Sequence, residues 1–187
     1  KNSISSFISF RYVLNNKTFL NEVKELAGGK ILIFKNQKIQ IKTFWDLKID
    51  KNLYHKSEDE IVFDLKSLMK NSIKKHLISD VPVASFLSGG LDSSIITQQA
   101  SKISNYKINS FVVKFESGDK SDSSFSKLIS KKYNTSHSEI FITKKMYFDK
   151  LNTILCNSSY PSGVPNEIAI NIASEQIKKK NSVILTG

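Results

Sequence analysis

Arginine, cysteine and long apolar runs are scarce in this sequence of 187 residues. Cys156 is the single cysteine, which excludes an internal disulfide framework and a multi-cysteine zinc site. No apolar run approaches the ~20 residues of a membrane-spanning helix, and the first residues lack the apolar core of a signal peptide. These absences exclude a membrane span and favour a reducing, cytoplasmic location.

The positive charge of the chain is almost entirely lysine. Lysine and arginine total 28 against 17 acidic residues, a formal net charge of +11, yet Arg11 is the only arginine. Surfaces that recognise nucleic acid usually add arginine, whose planar group makes paired contacts with phosphate or guanine. We therefore interpret the lysines as solvated surface with a diffuse attraction for anions, which argues against a nucleic-acid partner.

A change of pattern near residue 52 predicts two parts. Residues 1–52 form a small β-rich segment, with an extended apolar stretch over Ile4–Val13 and a helix over Thr18–Leu26. Strands at Ile31–Phe34 and Ile39–Ile41 flank Asn36-Gln37, which predicts a hairpin. Polar residues 48–56 then indicate a linker.

Residues 53–187 alternate between helical and strand patterns. Ser57 and Glu60 have the spacing of a capping box before a long amphipathic helix that ends near Ser79. Strands are predicted at 83–87, 108–115, 139–142 and 183–186, and helices at 93–103, 122–133, 145–155 and 166–179. Apolar residues of the 122–133 helix, Phe125, Leu128 and Ile129, are expected in the core. The alternation predicts an α/β fold with a parallel sheet.

The most informative segment is the loop Ser88-Gly89-Gly90-Leu91-Asp92-Ser93, which follows a predicted strand and opens a helix. Adjacent glycines allow a tight turn and bring backbone N–H groups close to a ligand, and the serine hydroxyls, including that of Ser94, add donors. A helix N-terminus also favours an anion. The pattern predicts a phosphate-binding loop; the alternative is a glycine-rich turn whose serines only cap the helix.

The loop differs from the common nucleotide-binding loop, because it lacks the lysine of the Gly-x-x-x-x-Gly-Lys-Ser/Thr pattern. Asp92 would repel bare phosphate, which suggests Mg²⁺ between this carboxylate and a polyphosphate. The three histidines, His55, His76 and His137, show no metal-ligand spacing.

These residues carry a family resemblance. Ser88–Ser93, together with Asp80-Val81-Pro82-Val83 before it, is similar to the pyrophosphate-binding loop of N-type ATP pyrophosphatases. It resembles, in particular, the synthetase domain of glutamine-hydrolysing asparagine synthetases. Phe10–Val13, Gly28-Gly29 and Phe44–Leu47 resemble the segment with which that family leaves its glutaminase domain.

The resemblance implies the Rossmann-like fold of the adenine nucleotide alpha hydrolases, with ATP and Mg²⁺ as cofactors. It assigns the ATP site to Leu87, Ser88, Gly89, Gly90, Leu91, Asp92, Ser93, Ser94, Val113, Thr186 and Gly187. Asp92 is the implied metal ligand, Val113 would contact adenine through its backbone, and Thr186-Gly187 lead into the family's second ATP loop. The loops after the first and last strands would face each other if those strands are neighbours.

The implied activity is that of a ligase. ATP and a carboxylate, with aspartate as the first candidate, give an acyl-adenylate and pyrophosphate, and ammonia from a glutaminase domain displaces AMP. The catalytic residues are expected beyond Gly187, so the chain would be part of a longer enzyme and inactive alone.

Two features leave the substrate open. Many family members have Asp-Glu-Pro where this chain has Ser159-Tyr160-Pro161, so a sugar acid or natural-product carboxylate is the alternative acceptor. Asp119 and Asp122 are interpreted as solvated loop carboxylates, with a place near the substrate as the alternative. Cys156 is interpreted as an ordinary packed cysteine.

Three further alternatives stay open at this point. A tRNA-modifying ATP pyrophosphatase could use the same loop, although those enzymes usually begin near it. A non-catalytic nucleotide-binding module is the second, and assembly as a homodimer is the third.

Overall fold

The computed structural model describes residues 2–50, 53, 55–116, 122–158, 161 and 164–187, and the chain divides into two compact units. The first comprises Lys1–Lys56 with Ser159–Gly163, and the second comprises Ser57–Ser158 with Val164–Gly187. The loop predicted to bind phosphate belongs to the second unit.

The first unit contains a helix and a β-hairpin. Helix α1 spans Asn2–Phe10, and strands β1 and β2 span Lys30–Lys35 and Lys38–Thr43. The strands pair antiparallel, so the predicted hairpin is confirmed. Asn36 and Gln37 between them have φ values of 50° and 59°, as a two-residue turn of type I′ requires.

The extended stretch predicted over Ile4–Val13 is wrong, because its first seven residues lie in α1. Ile4, Phe7 and Ile8 are three and four positions apart, which is the period of a helix and not of a strand. Phe7 contacts the ring of Phe19 edge to face, with 5.5 Å between the ring centroids.

The helix predicted over Thr18–Leu26 is also wrong, since the structure has turns there. The Thr18 hydroxyl lies within 3.1 Å of the Leu20 carbonyl oxygen and 2.9 Å of that of Val23, and it donates toward both. Threonine side chains that bond nearby backbone in this way compete with helix formation.

Helix α2, Glu58–His76, opens the second unit with the predicted capping box. The Ser57 amide donates to Glu60 Oε2 at 2.8 Å, and the Glu60 amide donates to Ser57 Oγ at 3.4 Å. Each side chain thus satisfies a backbone N–H group at the start of the helix. The helix ends at His76, three residues before the predicted end.

A four-stranded parallel sheet forms the centre of the second unit and confirms the predicted fold class. Its strands are β3 (Val83–Phe86), β4 (Asn109–Phe115), β5 (Ser136–Ile142) and β6 (Val183–Leu185), in the order β5-β4-β3-β6. The helices between them are α3 (Leu91–Ile103), α4 (Asp122–Lys132), α5 (Lys144–Asn157) and α6 (Asn166–Ile177). The first and last strands of the sheet are therefore neighbours, with Val83, Ala84 and Ser85 aligned to Val183, Ile184 and Leu185.

The main apolar core lies on one face of this sheet, against α6. Its buried members are Ala84, Phe111, Ile140, Ile142, Ile168, Ala169, Ile172, Ala173 and Ile177. A smaller cluster of Ile73, Ala100 and Ile108 joins α2, α3 and the start of β4.

The apolar residues of helix α4 are more exposed than predicted. Phe125 and Leu128 are 62% and 59% exposed, whereas Ser126 and Ser130 are buried. The two serines are four positions apart and so share one helix face. The helix therefore turns small hydroxyl side chains inward and Phe125 and Leu128 outward, while Ile129, the third residue expected in the core, is half-buried.

Asn181 connects the starts of three strands. Its side chain is buried, accepts from Asn109 Nδ2 at 2.9 Å and donates to the Pro82 carbonyl oxygen at 3.2 Å. These bonds tie the residue before β3, the first residue of β4 and the loop before β6 at one end of the sheet.

Buried hydroxyl groups surround His137 on β5. Ser110 Oγ lies 2.9 Å from His137 Nδ1 and 2.8 Å from Thr135 Oγ1, and Thr135 Oγ1 donates to Ser130 Oγ at 2.9 Å. The other ring nitrogen, Nε2, is buried and has no hydrogen-bond partner among the described residues. Burial lowers the pKa of His137, and the opposing effect of nearby Glu139 is smaller.

We expect the free energy of unfolding to fall as the pH decreases below about 6.5. An imidazole whose folded pKa is below its unfolded value binds a proton more readily in the unfolded chain, so acidification favours unfolding. One proton limits the slope to about 1.4 kcal/mol per pH unit. Denaturant unfolding from about pH 7.5 to about pH 5 would measure it.

The same measurement on a variant of this residue provides the control. His137→Gln removes the titrating group and should flatten this slope. An unchanged slope in His137→Gln would contradict the assignment.

Candidate functional site

The loop between β3 and α3 begins where the sheet pairing of β3 ends. Leu87 is fully buried, and its amide donates to the Phe111 carbonyl oxygen at 2.7 Å. This bond continues the pairing with β4 one residue beyond β3. Ser88 is the first residue of the loop that turns toward solvent.

The glycine pair makes the turn from strand to helix. Gly89 has a φ of 92°, in the region that residues with a Cβ atom rarely adopt. Gly90 is the N-cap of α3, with extended backbone and no side-chain capping bond. The predicted helix began at residue 93, but α3 begins at Leu91, so Asp92 lies in its first turn.

Two serine hydroxyls meet across the mouth of the loop. Ser88 Oγ lies 2.9 Å from Ser93 Oγ, and Ser93 Oγ also donates to the Gly90 carbonyl oxygen at 3.1 Å. The Gly90 amide donates to Ser88 Oγ at 3.3 Å. The loop is thus closed by short-range bonds beside the N-terminus of α3, where backbone N–H groups and the helix dipole favour an anion.

The end of β6 lies against this loop. A Cβ atom added to Gly187 would be 3.1 Å from the Ser93 amide nitrogen and 3.3 Å from the Asp92 carbonyl carbon. Most Cβ atoms do not approach other atoms so closely, so glycine permits the close approach of the two segments. Because β3 and β6 are neighbours, the condition for two facing loops at a switch point is met.

A cavity of about 430 Å³ opens at the carboxyl ends of β3, β4 and β6. Its lining residues are Phe86, Ser88, Ser93, Phe111, Val112, Val113, Phe115, Asn166, Ala169, Ile170, Thr186 and Gly187. Apolar side chains from the strands and α6 face the hydroxyls of the loop. The cavity thus combines an apolar wall with a polar, anion-favouring end.

Five residues predicted for the ATP site line this cavity, namely Ser88, Ser93, Val113, Thr186 and Gly187. The other six, Leu87, Gly89, Gly90, Leu91, Asp92 and Ser94, are not among its lining residues. Of these, Leu87 is buried and Leu91 is 76% exposed. The assignment of all eleven residues to ATP stays a prediction.

Sequence reasoning missed the aromatic and helical walls of the cavity. Phe111, Val113 and Phe115 follow one another at intervals of two along β4, so the strand period could have placed all three on one face. Asn166 and Ile170 come from α6. Their positions depend on tertiary packing, for which the sequence gives no local signal.

Asp92 is the predicted metal ligand, and it is exposed in the first turn of α3. Across the described residues, no group of three or more His, Cys, Asp and Glu side chains is arranged to hold a metal ion. Mg²⁺ commonly binds one or two carboxylates together with substrate phosphates, so a single carboxylate beside an anion-binding loop fits that mode.

Several other sequence interpretations concern residues outside the predicted ATP site. Cys156 is exposed on α5, which corrects its interpretation as a packed cysteine. Asp119, Ser159 and Tyr160 lie outside the described residues, and Asp122 is the first residue of α4. No helix in the described part of the chain is long and apolar enough to cross a membrane.

The chain is similar in sequence and in structure to several known proteins. It is 28% identical, over its full length, to glutamine-hydrolyzing Asparagine synthetase 1 of Bacillus subtilis, and it spans 29% of that relative. Over 59% of the chain it is 32% identical to Amidase chyE of Penicillium rubens, covering 19% of that protein. NMN synthetase from Francisella tularensis matches in structure with a TM-score of 0.49 and 14% identity, over 65% of this chain and 52% of the other.

A family model described as Asparagine synthase matches residues 64–187. The matched segment contains the loop, the cavity and all four strands of the parallel sheet. Since it covers well over half of the sequence, the chain belongs to the Asparagine synthase family.

Proposed function

We propose that the protein containing this chain activates a carboxylate with ATP and forms an amide with ammonia drawn from glutamine. The carboxylate oxygen attacks the α-phosphorus of ATP, pyrophosphate leaves, and an acyl-adenylate forms. Ammonia then attacks the acyl carbon, and AMP leaves with that carboxylate oxygen. Residues 57–187 supply the ATP-binding part of this reaction.

The observation that carries the proposal is the cavity shared by the β3–α3 loop and the end of β6. Its apolar wall, which includes Phe111, Val113 and Phe115, suits a flat base. The hydroxyls of Ser88 and Ser93 and the N-terminus of α3 suit phosphate oxygens. The same groups would stabilise the negative charge that develops on departing pyrophosphate.

Mg²⁺, when bound with ATP, would neutralise phosphate charge and act as a Lewis acid at the reacting phosphorus. Asp92 is the residue of this chain proposed to hold it. An exposed carboxylate at the start of α3 can contact the ion directly or through water.

Aspartate is the acceptor we propose first, in keeping with the asparagine synthetases among the relatives. The similarity to Amidase chyE supports another biosynthetic carboxylate as the second candidate. Ser159-Tyr160, in place of the Asp-Glu of many family members, is the sequence difference that favours this second candidate.

Gly89→Ala should weaken ATP binding at least about tenfold in the full-length protein. A Cβ atom at positive φ costs ~1 to 2 kcal/mol, and the phosphate must also approach the backbone at this position. Isothermal titration with ATP would measure the affinity. Gly28→Ala is the control, since a Cβ there meets nothing within 4 Å; equal ATP affinity in both variants would reject the site.

Asp92→Asn should greatly reduce adenylation and weaken the Mg²⁺ dependence of ATP binding, while stability changes by no more than ~1 kcal/mol. Asp59→Asn is the matched control, because Asp59 lies in the first turn of α2 and has the same relation to a helix dipole. ATP–pyrophosphate exchange and thermal unfolding would be measured on both. If the two variants behave alike, Asp92 acts only on the dipole.

Oxygen-18 in the acceptor carboxylate should appear in AMP, because the acyl carbon loses that oxygen when ammonia attacks. Mass spectrometry of the products, with aspartate and then other carboxylates, would measure it. Reactions with ammonium and with glutamine would be run separately, to distinguish the synthetase step from the glutaminase step. Label in inorganic phosphate, with ADP as co-product, would exclude adenylation.

A further inference from the structure

Two hydroxyl pairs connect β3 and its loop to α3. The outer pair is Ser88 and Ser93, with 2.9 Å between the Oγ atoms. The inner pair is Ser85 and Thr97, with 2.8 Å between Ser85 Oγ and Thr97 Oγ1. Ser93 and Thr97 are one helical turn apart, so both pairs lie on the face of α3 that meets β3.

The two pairs differ in exposure. Ser88 and Ser93 line the cavity, and Ser88 is exposed. Ser85 and Thr97 are both 0% exposed. The outer pair can therefore exchange partners with a ligand, whereas the inner pair is sealed from water and ligand alike.

Phosphate binding would separate the outer pair. Because Ser93 Oγ donates to the Gly90 carbonyl oxygen, Ser88 is the donor within the outer pair, and a phosphate oxygen that accepts from Ser88 takes that donor away from Ser93. Of the two hydroxyl pairs, only the inner one would then still connect β3 to α3 by a side-chain hydrogen bond. Ser85 Oγ also donates to the Phe86 carbonyl oxygen at 3.3 Å, so Thr97 is the donor of the inner pair. Separating the pair would take the buried Thr97 hydroxyl from its acceptor, at a cost of ~1 to 3 kcal/mol.

The N-terminus of α3 has little room to move toward the end of β6. The Ser93 amide and the Asp92 carbonyl carbon lie so close to Gly187 that a single added Cβ atom would be in tight contact with both. A small shift of α3 would change the gap between the loop and the end of β6, on both of which the cavity depends.

We propose that Thr97 is a positioning residue for ATP: through Ser85 it holds the N-terminus of α3 at the distance from β3 and β6 that phosphate binding requires. The proposal rests on the proposed function, because it needs phosphate in this cavity. Thr97 touches neither ATP nor acceptor and acts through the placement of the Ser93 hydroxyl and the first amides of α3.

The test compares two buried threonines of the full-length protein whose hydroxyls each pair with a buried serine of the sheet. Thr135 is also buried and also lies 2.8 Å from a buried serine hydroxyl, that of Ser110, but it does not line the cavity. Thr97→Val and Thr135→Val each remove one buried hydroxyl with almost no change of volume. Both should lower the melting temperature, Thr135→Val by more, because the Thr135 hydroxyl also donates to Ser130 Oγ.

Only Thr97→Val should affect ATP. We expect its Kd for ATP and its KM for ATP to rise about tenfold, since small misplacements of binding groups are costly. The KM for the carboxylate should be unchanged, and Thr97→Ser, which keeps the hydroxyl, should restore ATP binding to near the wild-type value. Titration with ATP and ATP–pyrophosphate exchange, both well below the melting temperatures, would measure these effects.

The outcomes separate the two proposals. If Thr97→Val loses stability like Thr135→Val but binds ATP like the wild type, the positioning role is overturned. If wild-type protein does not bind ATP, the proposed function fails and the positioning role falls with it. Should Thr97→Val not fold, Ser85→Ala removes the same bond from the strand side, and unchanged ATP affinity in that variant overturns the proposal.

Discussion

The parallel pairing of β3 with β6 is the constraint on which the rest of the second unit depends. It makes the first and last strands of the sheet neighbours, so the loops that leave them open at the same edge. At the opposite end of the strands, Asn181 forms hydrogen bonds with Asn109 and with the Pro82 carbonyl oxygen. Strands fixed in this way at their starts deliver the Ser88 loop and Gly187 to one cavity at their ends.

The cavity presents backbone and hydroxyl groups and no charged side chains among its described lining residues. None of its lining residues, as far as the structure describes them, is a lysine or an acid, although the chain has a net charge of +11. In the proposed complex, attraction for phosphate would then come from the N-terminus of α3, the serine hydroxyls and Mg²⁺. Backbone donors are held by the fold itself, which explains why the position of α3 matters so much. The lysine charge acts elsewhere, on the surface.

The sequence predicts the second unit far better than the first, for physical reasons. The Ser57 capping box, the glycine pair and the alternation of periods are local signals, and each corresponds to an observed element. In the first unit, the apolar content of Ile4–Val13 predicts an extended stretch, but the spacing of its first apolar residues is that of a helix. The missed cavity residue Asn166 and the outward Phe125 depend on how helices dock on the sheet, which a single sequence does not encode locally.

The two faces of the sheet are held by different kinds of interaction. On the side of α6, Ala84 and Phe111 pack in the main apolar core, where contacts are strong in sum but not directional. On the other side, Ser85 and Ser110 each bond a buried threonine, and such bonds fix both distance and direction. An apolar contact would tolerate a helix that slides by a fraction of an ångström. A hydroxyl pair is directional, so the Ser85–Thr97 bond constrains how α3 lies against β3, as the proposed positioning of phosphate requires.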